Sequence, residues 1–162
     1  MARGGPSAGS QCRRRWGMKV TILYFTSSGN TARIADVLAD HIRRSGHQVL
    51  LTALDEAQPS DLSGADLLLV GSPAWSGERV VQPIEEFLTE NLDRLRGRRI
   101  AFFGSYDWGE GRYFEHLVAR LRVEGLDVHA PPLLFRVGDD EPQNDDAREF
   151  MGEVLGVTGP AG

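Results

Sequence analysis

Six consecutive residues, Thr26-Ser27-Ser28-Gly29-Asn30-Thr31, offer four hydroxyls, a carboxamide and a glycine. Backbone N–H groups at a helix N-terminus lack intrahelical partners and carry partial positive charge, so such a loop at the start of a helix is an anion site. Gly29 lets the backbone approach an anion and take a φ that other residues resist. The loop holds no Lys or Arg, which separates it from the Lys-bearing phosphate loop of nucleotide hydrolases. Neutral donors suit a terminal phosphate that is held rather than transferred. The same composition also suits an ordinary turn and helix cap.

Two more segments carry aromatic residues where a core residue has no reason to be. Ser72-Pro73-Ala74-Trp75-Ser76-Gly77-Glu78 and Ser105-Tyr106-Asp107-Trp108-Gly109 each set a tryptophan in a polar, glycine-containing stretch. Aromatic rings stack on flat π ligands with offset geometry. Two loop tryptophans flanking one crevice could sandwich a tricyclic ring. Either alone also reads as surface anchoring, since Trp is often highly but not fully buried.

These loops need elements to hold them. From Met18 the chain alternates. Val20–Phe25 is a short apolar run, and Ile34, Val37, Leu38, His41 and Ile42 then recur at helical spacing as far as Gly46. Val49–Leu51 begins a second strand, and the polar stretch Asp55–Gly64 holds at most a short helix. Leu67–Val70 is a continuous apolar run, as expected of a strand buried on both faces. Ile84, Phe87, Leu88, Leu92 and Leu95 mark one helix, Ile100–Phe103 a strand, and Phe114, Leu117, Val118 and Leu121 another helix. Val128 and Leu133–Val137 supply a last strand interrupted by Pro131-Pro132, and Ala147, Phe150, Met151, Val154 and Leu155 close with a helix. Five strands alternating with at least four helices predict an α/β doubly wound domain with a mostly parallel sheet. Ligands of such sheets bind at the carboxyl ends of the strands. All three unusual loops fall there.

Charge and cysteine content narrow the function classes. The 162 residues carry a net charge of −5, but four arginines and no acid lie in the first seventeen, so residues 18–162 carry −9. A phosphate-backbone or anionic-membrane binder needs a basic face instead. The single cysteine, Cys12, excludes an intramolecular disulfide framework and multi-cysteine metal sites, which fits a reducing cytoplasm. No stretch approaches the roughly 18 apolar residues of a membrane span. Residues 1–17, rich in Gly, Ser and Arg, read as a disordered tail, residues 18–157 as the folded domain, and residues 158–162 as a disordered end. The Arg13-Arg14-Arg15 run lacks the apolar segment and cleavage site of an export signal.

Other motifs point to less. Gly109-Glu110-Gly111 begins like a dinucleotide fingerprint, yet Phe114 stands where its third glycine belongs. His41, His47, His116 and His129 have no metal-ligand spacing, and His41 reads as a packed or capped residue on a helix's apolar face. Asp139-Asp140-Glu141 with Asp145-Asp146 reads as a solvated loop and the negative start of a helix.

The opening Met18–Thr31, M-K-V-T-I-L-Y-F-T-S-S-G-N-T, resembles the phosphate loop of flavodoxins, which holds the phosphate of FMN. The resemblance extends to about Leu155, and G-S-Y-x-W-G-x-G around Trp108 is similar to the short-chain clostridial type. It implies a five-stranded parallel sheet in the order 2-1-3-4-5 with helices on both faces. It also implies cofactor contacts from Thr26–Thr31, Ser72–Glu78 and Ser105–Gly109. In that frame Trp75 covers the inner flavin face, Trp108 the outer, and the Glu78 carboxylate meets a flavin ring N–H. The Ser76–Gly77 peptide flips its carbonyl toward the ring nitrogen that is protonated in the one-electron-reduced state. Pro73 departs from the pattern, standing where many flavodoxins carry a hydroxyl residue that binds the phosphate. Proline offers neither N–H nor hydroxyl there, so that role falls to Ser72 or to no residue.

The function so implied is a low-potential, cytoplasmic, monomeric one-electron carrier with non-covalent FMN. It would shuttle electrons from a flavodoxin reductase-type donor to redox acceptor enzymes through an acidic surface, binding neither nucleic acid nor membrane. Such a protein is not an enzyme. The alternatives are an NAD(P)H:quinone or FMN reductase, which needs a nicotinamide or quinone pocket from added segments or a multimer, and a flavoprotein activating a single enzyme.

Overall fold

The computed structural model describes residues 17–26, 29–75, 79–106, 112–137 and 145–156. Residues 1–16 and 157–162, and with them Cys12, the expected C-terminal end and all of the expected N-terminal tail but Gly17, lie outside the described residues.

The chain runs β1 (Lys19–Tyr24), α1 (Asn30–Arg44), β2 (Gln48–Ala53), a 3₁₀ turn at Leu54–Glu56, α2 (Pro59–Ser63) and β3 (Leu67–Gly71). A hairpin of two-residue strands follows, β4 (Ala74–Trp75) and β5 (Arg79–Val80), then α3 (Gln82–Thr89), α4 (Leu92–Leu95) and β6 (Arg99–Tyr106). The last part is α5 (Glu115–Val123), β7 (Asp127–Val128), β8 (Leu133–Arg136) and α6 (Asp145–Gly156). The main sheet has the order β2-β1-β3-β6-β7, with β8 also paired to β6, and every pairing in it is parallel. β7 and β8 are the two pieces of one interrupted outer strand, so the order is the expected 2-1-3-4-5. Only residues 129–132 separate the pieces, and the Ala130–Pro131 peptide among them is cis.

Strand alternation splits the core into two layers. Val20, Ile22, Leu67, Leu69, Ala101 and Phe103 pack under α1 and α6. Leu23, Leu68, Val70, Ile100 and Phe102 face Leu62 of α2, Ile84 and Leu88 of α3, Leu95 of α4 and Leu117 of α5. β3 lies between helices on both sides, and all five of its residues are buried. β2 is one edge of the sheet, and Leu50 on it is exposed.

Three expectations change. The helix expected through Ile84–Leu95 is two helices. Asn91 Nδ2 donates to Phe87 O at 2.7 Å, and Thr89 Oγ1 donates to Glu85 O at 3.0 Å. Polar side chains that bind the preceding carbonyls compete with helix continuation. His41 is exposed rather than packed. The buried stripe of α1 is Thr31, Ile34, Ala35, Leu38, Ala39 and Ile42, and the small Ala35 and Ala39 turn the helix so that His41 faces out. The hairpin β4–β5 adds structure inside a segment that reads as loop.

Asp145 and Asp146 occupy the first turn of α6, where carboxylates complement the helix dipole. The preceding residues 138–144 lie outside the described residues.

Candidate functional site

Thr26, Gly29, Asn30, Thr31, Ser72, Pro73, Ala74, Ser105 and Tyr106 are described, as is the backbone of Trp75. Ser27, Ser28, Ser76, Gly77, Glu78, Asp107, Trp108 and Gly109 lie outside the described residues. The described members meet at the carboxyl ends of β1, β3 and β6, which are adjacent in the sheet. Phe25 N–H donates to Gly71 O at 3.0 Å and joins the first two of these ends.

α1 begins on Gly29, which has φ 92° and ψ −11°. The first turn holds no acidic residue, and the N-cap position is a glycine, which has no side chain to cap it. Gly29 N–H donates to Thr26 Oγ1 at 3.0 Å, folding the loop back on itself. A left-handed φ here favours glycine. A fifteen-residue helix thus directs its positive end at the strand mouth with no carboxylate in its first turn, which suits an anion.

Two buried hydrogen-bond paths join the three loops. Thr31 and Ser105 share one between hydroxyls at 3.1 Å. Tyr113 Oη donates to Ser72 O at 2.7 Å and lies 3.3 Å from Ser105 O. Burial first, and the Tyr106 phenol second, push the Tyr113 hydroxyl well above the usual phenol range, so it stays a donor. A Cβ on Gly104 would collide with both the Tyr113 hydroxyl and Ser72 O, so only glycine allows this crossing.

Ser72 is fully buried. Its hydroxyl donates to Pro73 O at 2.8 Å and accepts from Val81 N–H at 3.2 Å. The hydroxyl therefore closes the root of the β4–β5 hairpin and does not replace the one lacking at Pro73. Ala74 pairs with Val80 and Trp75 with Arg79, flanking residues 76–78. The Arg136 guanidinium sits 5.6 Å from the centre of the Tyr106 ring, a cation–π brace at the mouth of β6.

Tyr113, which joins two of these loops, is the residue that sequence reasoning passed over. Its signal was a polar-tipped aromatic just before a helix, four residues past a loop already suspected of holding a ligand.

A flavodoxin domain model matches residues 21–106. A flavodoxin of Clostridium beijerinckii is 30% identical over 125 residues, covering 76% of this chain and 91% of that protein. The chain belongs to the flavodoxin family. A Megasphaera elsdenii flavodoxin is 26% identical over 125 residues, 76% of this chain and 91% of that protein. The solution structure of two-electron reduced Megasphaera elsdenii flavodoxin superposes with a TM-score of 0.71 at 25% identity, covering 83% of this chain and 98% of that one.

Flavodoxins are electron-transfer flavoproteins and not enzymes, so this chain is a flavin-dependent electron carrier. That overrides the reductase alternative. No helix among the described residues is long and apolar enough to cross a membrane.

Proposed function

We propose that this flavodoxin is a low-potential one-electron carrier that holds a single FMN non-covalently. The observation that carries the reading is the acid-free start of α1 on a left-handed Gly29, tied by buried hydrogen bonds to the two aromatic loops. One compact anion site with neutral donors suits a terminal phosphate.

FMN, when bound, supplies the redox chemistry, and the protein sets its affinity, potentials and access. Thr26–Thr31 hold the phosphate by backbone N–H and hydroxyl donors. Ser72–Glu78 and Ser105–Gly109 wall the ring, with Trp75 and Trp108 as the covering aromatics and Glu78 accepting from a ring N–H. The Ser76 carbonyl would accept a hydrogen bond from the reduced flavin. Glycine at Gly77 lowers the cost of turning that peptide.

The −9 charge of residues 18–162 disfavours adding electrons to the site and steers the carrier toward basic patches on partners. The folded carrier spans residues 18–157 and acts as a monomer in the cytoplasm. It takes electrons from a flavodoxin reductase-type donor and passes them to redox acceptor enzymes.

The test is purification followed by electron transfer. The protein should carry one FMN and no FAD. With NADH or NADPH and a quinone alone it should turn over negligibly, and an added flavoprotein reductase should restore electron flow. Added salt should slow that flow by screening. Robust turnover by the isolated protein overturns the carrier reading.

A further inference from the structure

We propose that the Tyr113 hydroxyl is a positioning residue that holds the two ring-covering loops at a set spacing, and so tunes both flavin affinity and the first one-electron potential. The proposal rests on the FMN reading above and assigns a role to a residue outside the expected binding set.

A phenol has one hydrogen to give. Tyr113 directs it at Ser72 O, at 2.7 Å, with Ser105 O a more distant second acceptor at 3.3 Å. Ser72 is also the residue whose hydroxyl binds Pro73 O and Val81 N–H, on either side of the β4–β5 hairpin. Fixing the Ser72 carbonyl therefore fixes the root of the hairpin that carries Trp75. Ser105 opens the other aromatic loop, and Tyr113 lies just beyond its far end. One buried hydroxyl thus ties the base of one wall to the base of the other.

Two further observations bear on this role. Gly104 is needed for the phenol to reach Ser72 O at all. The Tyr113 ring is itself held by packing, 4.6 Å centre to centre from Phe114, which stacks at 4.9 Å on Phe102. The hydroxyl is therefore aimed by a rigid aromatic cluster. Preorganised walls cost less ordering when a ligand binds.

The decisive experiment compares wild type with Tyr113→Phe, which keeps the ring and its packing. Affinities for FMN and for riboflavin are measured on apoprotein, together with the first one-electron potential and the thermal melt. The variant should lose about threefold or more in affinity for both flavins by the same factor, because the walls touch the shared ring and not the phosphate. Its first potential should fall, since a looser hairpin holds the reduced ring less well. Gly104→Ala keeps the phenol but pushes it from Ser72 O, and should reproduce the pattern. A folded variant of either kind with wild-type affinities and potential overturns the proposal. Loss confined to FMN also overturns it, by moving the effect to the phosphate loop. Failure of the wild-type protein to bind FMN overturns the FMN reading itself.

Discussion

Thr31 and Ser105 lie 74 positions apart, yet their hydroxyls share a buried hydrogen bond of 3.1 Å. One stands in the first turn of α1 and the other at the end of β6. The contact joins the Thr26–Thr31 loop directly to the loop that Ser105 opens, across the end of β3 that lies between them in the sheet. A ligand bridging both loops meets a mouth whose two sides are already connected.

Thr31→Val keeps the shape and removes the hydroxyl. Ser105 is then left with a buried, unpartnered group, which costs about 1–3 kcal/mol. Urea unfolding of the apoprotein should show this loss. The double variant Thr31→Val/Ser105→Ala should be less destabilised than the sum of the two single changes, because neither polar group is then stranded. Strict additivity would mean the pair contributes nothing to stability.

Gly29→Val forces a β-branched residue into φ 92°, a region that such side chains strongly disfavour. Its effect should fall on the phosphate. FMN binding should weaken at least about tenfold, roughly 1.4 kcal/mol, whereas riboflavin, which has no phosphate, should bind as before. Isothermal titration of both flavins checks this. Equal loss for the two would show that Gly29 acts on the fold and not on the anion.

Gly77→Val tests the proposed turning peptide. The variant should retain FMN but bind the reduced ring less well, with the first one-electron potential lowered and the two potentials drawn together. Potentiometric titration under anaerobic conditions reads both values. Unchanged potentials would assign the reduced-state hydrogen bond to another group.

His47 should make stability depend on pH. Met18 N–H donates to its Nδ1 at 2.8 Å, which requires the neutral ring, and burial lowers its pKa from the usual value of 6.5. A histidine held neutral by folding binds fewer protons in the native than in the unfolded state, so stability rises with pH. The contribution is fully present above about 6.5 and is lost as pH falls through the lower native value. Urea midpoints measured from pH 7.5 down to 5 should fall for wild type. The His47→Gln variant should have a flatter profile, and equal slopes would remove His47 as the cause.

Much of this protein is legible residue by residue. The unbroken apolar run Leu67–Val70 requires a strand covered on both sides, and the alternation around it leaves few arrangements besides a parallel sheet with helices on two faces. That arrangement alone sends Thr26–Thr31, Ser72–Glu78 and Ser105–Gly109 to one end of the sheet, because each follows a strand. Local pattern could not say how closely the elements approach. Ala35 and Ala39 set the rotation of α1 and turn His41 outward, and Gly104 opens the path by which Tyr113 reaches Ser72, 41 positions away. Asn91 divides one apolar stripe into two helices. Periodicity weights large apolar side chains and is blind to the small or polar residues that decide where backbones can touch. Whether two distant hydroxyls come within 3.1 Å depends on the packing of every layer between them, which exists only in the folded chain.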